Sequence, residues 1–328
     1  MEFKALLLTR AGAATRPAIV DFDEADLPPG DVLVKVQYST LNYKDALAVT
    51  GRGALVKAWP LIAGIDLAGT VERSGHPGWK PGDAVVVNGW GLGETRHGGL
   101  AQQARVQADW LLAVPAPYST HDAMAVGTAG YTAALCVQAL RRHGLAPDRG
   151  PVLVTGASGG VGAVAVRLLA GLGFEVDAST GRPGTAEALR ALGAANIVDR
   201  QQLAVPARPL QRERWAGVVD TVGSHTLANA CAGTKWHGAV AACGLAQGAD
   251  FPGTVMPFIL RAVTLYGINC VFVPNDERRA AWALLAEHLP PGRLAGMAHD
   301  IGLHDAIAAS ADLLDGRLHS RAVVDVNR

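Results

Sequence analysis

The stretch Val152-Leu-Val-Thr-Gly-Ala-Ser-Gly-Gly-Val-Gly162, continued by Ala163-Val-Ala-Val-Arg-Leu-Leu169, decides the fold. A short apolar run rich in β-branched residues enters a cluster of four glycines and leaves in a helical pattern of small residues. Such a turn lets the backbone approach a dinucleotide pyrophosphate, and the helix start aims free N–H groups and a positive dipole end at the anion. The spacing is Gly156-x-x-Gly159-Gly160-x-Gly162 rather than the strict G-x-G-x-x-G. A glycine cluster alone also fits a plain strand–turn–helix, so the surrounding pattern has to choose between the two readings.

That pattern favours the dinucleotide reading. Beyond the glycines, strands over Phe174–Thr180, Asn196–Asp199, Ala216–Val222, Gly238–Cys243 and Leu265–Val271 are separated by helix-length segments. Alternation of this kind implies right-handed βαβ crossovers and a parallel sheet. Upstream, from Met1 to about Pro117, short apolar strands are punctuated by turns such as Pro28-Pro-Gly-Asp31 and Lys80-Pro-Gly-Asp83, which predicts a barrel-like β domain. A long helix over Ala123–Leu140 follows, with start signals at Thr120-His-Asp122. Near the C-terminus a helix over Glu277–His288 and a strand over Arg321–Val326 return the chain to the first domain. The expected domains are therefore 1–122 with 275–328, and 123–274.

A length of 328 residues accommodates two cores, and 49% hydrophobic residues with 39 glycines suit a buried α/β sheet with many tight turns. The net charge of +0, with no run of Lys or Arg, gives no reason to expect nucleic acid or an anionic membrane as partner. The first residues, Met1-Glu-Phe-Lys-Ala, lack a basic region followed by an apolar core. The four cysteines, Cys136, Cys231, Cys243 and Cys270, form no C-x-x-C pair and are expected as reduced thiols in a cytoplasmic protein.

In a parallel sheet of this type, the end of the second strand selects the coenzyme. NAD sites place an acid there to accept from the ribose 2′-OH. Here the strand ends Ser179-Thr-Gly-Arg182, a set of donors suited to a 2′-phosphate, so NADPH is expected. Asp177 competes, because a carboxylate at the strand tip would repel that phosphate. Arg200, after the third strand, flanks the adenosine or is a surface residue.

Several segments together resemble the medium-chain dehydrogenase/reductase superfamily. They are Leu41-Asn-Tyr-Lys-Asp-Ala-Leu47, Gly64-Ile-Asp-Leu-Ala-Gly69, Pro81-Gly-Asp83, His97-Gly-Gly-Leu-Ala101, Gly127-Thr-Ala-Gly-Tyr-Thr132, the glycine loop, Asp220-Thr-Val-Gly223 and Ala242-Cys-Gly244. Within it, Gly89-Trp-Gly91, Ser179-Thr-Gly-Arg182 and Thr254-Val-Met-Pro-Phe-Ile-Leu-Arg261 are similar to the NADPH-dependent acrylyl-CoA reductases, often labelled quinone oxidoreductase-like. The resemblance implies an α/β protein with a GroES-like β-barrel catalytic domain and a Rossmann doubly wound domain. It implies reduction of the carbon–carbon double bond of an α,β-unsaturated acyl-CoA, acrylyl-CoA to propionyl-CoA. The alternatives are an NADPH quinone or enone oxidoreductase and a non-catalytic NADPH-binding protein.

The same resemblance assigns Asn42 and Asp66 to catalysis, with Asn42 donating an amide N–H to substrate or coenzyme and Asp66 orienting Asn42 or Lys44, or relaying a proton. For the coenzyme it points to Tyr43 at the nicotinamide half, to Ser158, Gly159, Gly160 and Val161 at the pyrophosphate, and to Thr180, Gly181, Arg182 and Arg200 at the adenosine phosphate. Leu245, Ile259 and Cys270 complete the nicotinamide side. Two positions depart from the subgroup, which often has Ser at Cys270 and Asn at Gly316. Lys44 and Asp45 read as an exposed pair. The zinc branch of the superfamily carries Cys in the Asn42-Tyr43 region, a His-Glu pair at Ile65-Asp66 and a lobe with four closely spaced Cys. None of these is in this sequence, so no metal is expected. No basic cluster for CoA phosphates stands out beyond scattered residues such as Arg52 and Lys57. The strand over Leu265–Val273 is expected at the sheet edge, long and apolar, which predicts a homodimer formed by pairing it with its twin.

Overall fold

The computed structural model describes Met1–Leu318 and Ser320–Arg328 and divides into two units. The first comprises Met1–Thr128, Cys270–Ala286 and Pro290–Arg328; the second comprises Ala129–Asn269 with Glu287–Leu289. The units change at Thr128/Ala129 and Asn269/Cys270, against 122/123 and 274/275 expected from sequence, and Glu287–Leu289 falls in the second unit although 275–328 was expected in the first. Thr128 is tied by its amide and hydroxyl to Asp66 of the first unit. The carbonyls of Val271 and Val273 are claimed by Arg278 of the same unit.

In the first unit, β1 (Glu2–Ala11) and β2 (Ala14–Asp23) form an antiparallel hairpin in unbroken register from Glu2 opposite Asp23 to Ala11 opposite Ala14. The sequence reading overlooked β2, because Pro17 and the alternating polar residues argue against a central strand. The structure resolves this by placing β2 at a sheet edge, where a missing N–H costs nothing. Next come β3 (Val32–Thr40), α1 (Tyr43–Thr50), β4 (Leu61–Ile62), β5 (Asp66–Ser74), β6 (Ala84–Asn88), β7 (Gln103–Val106) and β8 (Leu112–Ala113). The turn Lys80-Pro-Gly-Asp83 joining β5 to β6 is closed by Asp83 N to Lys80 O at 3.1 Å and Lys80 N to Asp83 Oδ2 at 2.9 Å. Apolar side chains of β1, β3, β5, β6 and β7, among them Leu6, Val34, Leu67, Val87 and Ala104, fill one core.

α2 (Thr120–Arg142) is long and apolar enough to cross a membrane by length and composition, yet it is almost wholly buried inside the protein. It is broken at Gly127, whose φ of 51° and ψ of −166° are not helical. The second unit then builds β9 (Val152–Val154), α3 (Gly160–Gly171), β10 (Val176–Thr180), α4 (Ala186–Ala191), β11 (Asn196–Asp199), β12 (Trp215–Asp220), α5 (Ser224–Gly233), β13 (Thr234–Ala242), α6 (Met256–Arg261) and β14 (Thr264–Gly267). All neighbours pair in parallel, in the order β11-β10-β9-β12-β13-β14. That is the doubly wound order, with its switch point between β9 and β12.

β14 is the edge strand, as expected, but it is short. The expected strand over Leu265–Val273 ends at Gly267. Ile268 still bonds Ala242 O, but beyond it Val271 O accepts from Trp90 N and from Arg278, so the segment's backbone groups go elsewhere. α7 (Asn275–His288), β15 (Ala298–Gly302), α8 (Ala306–Leu314) and β16 (Arg321–Asp325) complete the chain. β16 pairs with β3, and β15 extends the sheet to the order β15-β16-β3-β5-β6-β8, with β7 also on β3.

Candidate active site

The residues expected at the coenzyme phosphates converge in the second unit at the carboxyl ends of β9, β10 and β11, where open α/β sheets bind ligands. Helix α3 starts directly on the glycine loop. The first amide to bond back after the turn is Ala163 N, to Gly159 O at 2.9 Å, so the amides of Gly160, Val161 and Gly162 precede the ladder. Gly162 has to be glycine for packing: a Cβ there would lie 2.3 Å from Gly156 O. Gly159 and Gly160 are exposed, and Ser158 and Val161 are half-buried.

Beside the loop, Ser158 Oγ lies 3.0 Å from Thr180 Oγ1, and Thr180 Oγ1 accepts from Arg182 N at 3.1 Å. Thr185 Oγ1 donates to Arg182 O at 2.7 Å and holds the turn in place. The side chain of Arg200 crosses the backbone of Gly181, where a Cβ would come within 2.5 Å of Arg200 Nε. Arg182 and Arg200 are exposed, and neither guanidinium has a hydrogen bond or ion pair among the described residues. Two guanidiniums without a partner among the described residues, next to hydroxyls and helix amides, are the donor types that a phosphate monoester and a pyrophosphate require.

Asp177, the competing acid, points away from this rim. It is 6% exposed and accepts from Trp215 Nε1 at 2.8 Å and Asn196 Nδ2 at 2.9 Å. Its place is inside the sheet layer, so it neither repels a 2′-phosphate nor serves a ribose. At the switch point, Asp220 accepts from Thr155 Oγ1 at 2.6 Å and Gly223 N at 2.8 Å and locks the β12 exit; burial raises its pKa. Leu245, 61% exposed, and Ile259, 71% exposed, are apolar side chains in this unit left open to contact.

In the first unit, Asn42 and Asp66 are brought into direct contact, Asn42 Nδ2 donating to Asp66 Oδ2 at 2.8 Å. Asp66 has no exposed surface and also accepts from Asn88 Nδ2 at 2.6 Å, from Thr128 N at 2.9 Å and from Thr128 Oγ1. Because Gly127 breaks α2, Thr128 opens a fresh helical segment. Its N–H and the positive end of that segment face the buried carboxylate. Asn42 Nδ2 donates a second time, to Asp45 Oδ2 at 3.0 Å, and Asn42 Oδ1 accepts from Arg321 Nη2 at 3.0 Å. Both amide hydrogens of Asn42 are therefore bonded within this buried cluster, whereas the sequence reading expected one to reach substrate or coenzyme. Next in the chain stands Tyr43, first residue of α1 and 50% exposed.

Lys44 and Asp45 do not form the expected exposed pair. Lys44 Nζ bonds Glu94 Oε1 at 2.7 Å, while Asp45 is buried and accepts from Asn42 N and Ile65 N, both at 2.9 Å. Desolvation first, and the nearby Asp66 second, push the Asp45 carboxyl up to about 7. Arg321 and Thr128 were missed from sequence. The quoted Gly127-Thr128 pair carried the signal for the helix break, but nothing local marks Arg321. Cys270 is half-buried beside Gly89, where a Cβ would lie 3.1 Å from Cys270 O. Arg52, a scattered candidate for CoA phosphates, is paired with Asp315 at 2.7 Å.

A β domain built around a GroES-like core, followed by a doubly wound sheet with a phosphate rim, defines a medium-chain dehydrogenase/reductase, and the chain belongs to that oxidoreductase superfamily. Residues 28–116 match the alcohol dehydrogenase GroES-like domain, and residues 160–287 match the zinc-binding dehydrogenase family. The chain is 49% identical over 328 residues to acrylyl-CoA reductase AcuI of Ruegeria pomeroyi, covering 99% of each protein. It is 43% identical to the putative quinone oxidoreductase YhfP of Bacillus subtilis, covering 91% of each. Among solved structures it resembles the yhdH oxidoreductase of Salmonella enterica in complex with NADP, with a TM-score of 0.96 and 46% identity, covering 98% of this chain and 99% of that one.

The second family name raises the question of zinc, and the donor set here does not fit it. Among the described residues no three His, Cys, Asp or Glu side chains gather into a group able to hold a metal ion. The two carboxylates that do cluster, Asp45 and Asp66, are occupied by N–H and O–H donors.

Proposed function

We propose that this protein is a zinc-independent, NADPH-dependent reductase of the carbon–carbon double bond of an α,β-unsaturated acyl-CoA, with acrylyl-CoA, reduced to propionyl-CoA, as its substrate. The coenzyme half of this reading rests on one observation: Arg182 and Arg200, at the tips of β10 and β11, are guanidiniums without a partner among the described residues, with Asp177 turned into the interior. The substrate half is supported by full-length similarity to a protein named acrylyl-CoA reductase.

Ser158, Gly159, Gly160 and Val161 would hold the pyrophosphate, and Thr180, Gly181, Arg182 and Arg200 the 2′-phosphate. In the second unit, the exposed Leu245 and Ile259 would contact the nicotinamide half. When bound, the coenzyme supplies the hydride. The chain's own contribution is positional and electrostatic: in the second unit the apolar Leu245 and Ile259 would shield what binds there from water, and in the first unit Tyr43 stands at the start of the helix that the Asn42–Asp66 network anchors. Negative charge develops on the thioester oxygen during such a reduction, and pre-aimed donors are the largest available stabilisation.

A second reading, NADPH-dependent reduction of quinones or free enones, is favoured by the similarity to YhfP. Initial rates with NADPH against acrylyl-CoA, crotonyl-CoA and a benzoquinone separate the two. A kcat/KM highest for acrylyl-CoA supports the first reading, and preference for the quinone replaces it with the second. We further infer a cytoplasmic homodimer joined through the β14 edge, where Leu265 is exposed and, among the described residues, no strand covers the ladder. A single monomeric boundary in sedimentation at micromolar concentration would remove that inference.

A further inference from the structure

The buried cluster beneath Tyr43 holds two carboxylates, Asp45 on α1 and Asp66 on β5, and one cation, Arg321 on β16. The Arg321 side chain is 7% exposed. Its Nη2 donates to Asn42 Oδ1 at 3.0 Å and lies 3.7 Å from Asp66 Oδ2, while Nε donates to Met124 O at 3.3 Å. Two features of the fold leave room for this guanidinium. Helix α2 is interrupted at Gly127, at a φ of 51°, and a Cβ on Gly127 would stand 2.1 Å from Arg321 Nη2. Any other residue at 127 would both strain the backbone and evict the arginine.

A guanidinium is donor-only, so whatever faces it must accept. Arg321 on one side and the two carboxylates on the other therefore fix which way the Asn42 amide is turned. With Oδ1 held by Arg321, Nδ2 is directed at Asp45 and Asp66, and this fixes the start of α1 on which Tyr43 stands. Were the amide reversed, Asn42 would present its NH2 to a cation and its oxygen to two carboxylates.

We propose that Arg321 is a positioning residue of the active site: it sets the Asn42 amide orientation and counters the Asp45–Asp66 pair, and through them fixes Tyr43. This rests on the reading of the site as that of an NADPH-dependent reductase. The ionisable groups facing it are Asp45 from α1 and Asp66 from β5; the neutral groups completing the cluster are Asn42, Asn88 and Thr128. Removing the cation makes ionisation of the buried Asp45, already pushed up by desolvation, harder still, so the acid limb of the pH–rate profile moves to higher pH.

The test uses the full-length protein as Arg321→Met and Arg321→Lys, with kcat/KM for acrylyl-CoA followed against pH and NADPH affinity read separately by fluorescence titration. Arg321→Met is expected to lower kcat/KM at neutral pH by about ten-fold or more and to move the acid limb upward by about one pH unit, with NADPH affinity within about three-fold of the parent. Arg321→Lys, which keeps the charge but not the fork, is expected to restore the limb and recover only part of the rate. Parental rate and limb in Arg321→Met overturn the proposal, as does a loss uniform across pH that Arg321→Lys does not relieve. If Arg321→Met does not fold, Arg321→Lys decides alone: full parental kcat/KM in that variant overturns the role of the fork in orienting Asn42. If the parent protein itself ignores acrylyl-CoA, the substrate reading fails instead, and the Arg321 comparison is made on quinone turnover with the same outcomes.

Discussion

The two charged regions of this protein are built on opposite principles. In the first unit, Asp45, Asp66 and Arg321 are buried and every polar atom of Asn42 between them is engaged. In the second, Arg182 and Arg200 stand in solvent with no partner among the described residues. A saturated cluster holds shape and has nothing left to offer a ligand; an unsaturated rim contributes little to folding and has its donors free. The contrast separates residues that maintain the site from residues that meet a bound molecule.

The sharpest way to break that contrast is Asp66→Ala. It strands Arg321 and the donors of Asn42, Asn88 and Thr128 in the interior, and an expected loss of about 3–5 kcal/mol in urea unfolding follows from the uncompensated buried charge. A loss below about 1 kcal/mol would mean that the cluster is not the closed unit described. Next in size is Arg182→Ala. Binding of NADPH should weaken by about ten- to a hundred-fold while NADH binding barely changes, since a charged hydrogen-bond donor to phosphate is removed. Equal losses for the two coenzymes would contradict the rim's role. The same substitution should leave thermal unfolding where it was.

A pH titration of stability sharpens the comparison further. Asp45 has its folded-state pKa raised from 3.8 to about 7, so the folded protein holds a proton that the unfolded chain releases. Stability should therefore fall as pH rises from about 4 to 7, by at most about 1.4 kcal/mol per pH unit from this group, and level off above. Asp45→Asn should flatten that slope; an unchanged slope would assign it to other carboxylates. The smallest effect belongs to Lys44→Ala. Its partly exposed pair with Glu94 should be worth no more than about 1 kcal/mol in thermal or urea unfolding.

Much of this was legible in the sequence for definite reasons. The glycine loop and the alternation after it fix a parallel sheet, because close backbone approach and βαβ crossovers leave local marks. The grouping of Thr180, Gly181 and Arg182 at one strand tip was legible because such tips are short and their residues stay adjacent in space as in sequence. Asp177 misled because strand phase alone does not say that Trp215, 38 residues away, takes its carboxylate. Asp45 looked like half of a surface pair because it neighbours Lys44. Only the helix start and the β5 entry, brought together in three dimensions, show it buried. Arg321 was invisible for the same reason, its partners lying 279 and 197 residues away along the chain. The long edge strand failed because apolar periodicity cannot register a downstream arginine that claims the strand's carbonyls.

The idle guanidiniums at the coenzyme rim have one last consequence. Since neither guanidinium is bonded to another side chain among the described residues, exchanging either should disturb the scaffold little, so the choice between phosphorylated and unphosphorylated nucleotide can be altered separately from the fold. An engineer wanting the unphosphorylated nucleotide should leave Asp177 alone, since its carboxylate answers to an indole, and install the acid at position 182 with Arg200 neutralised.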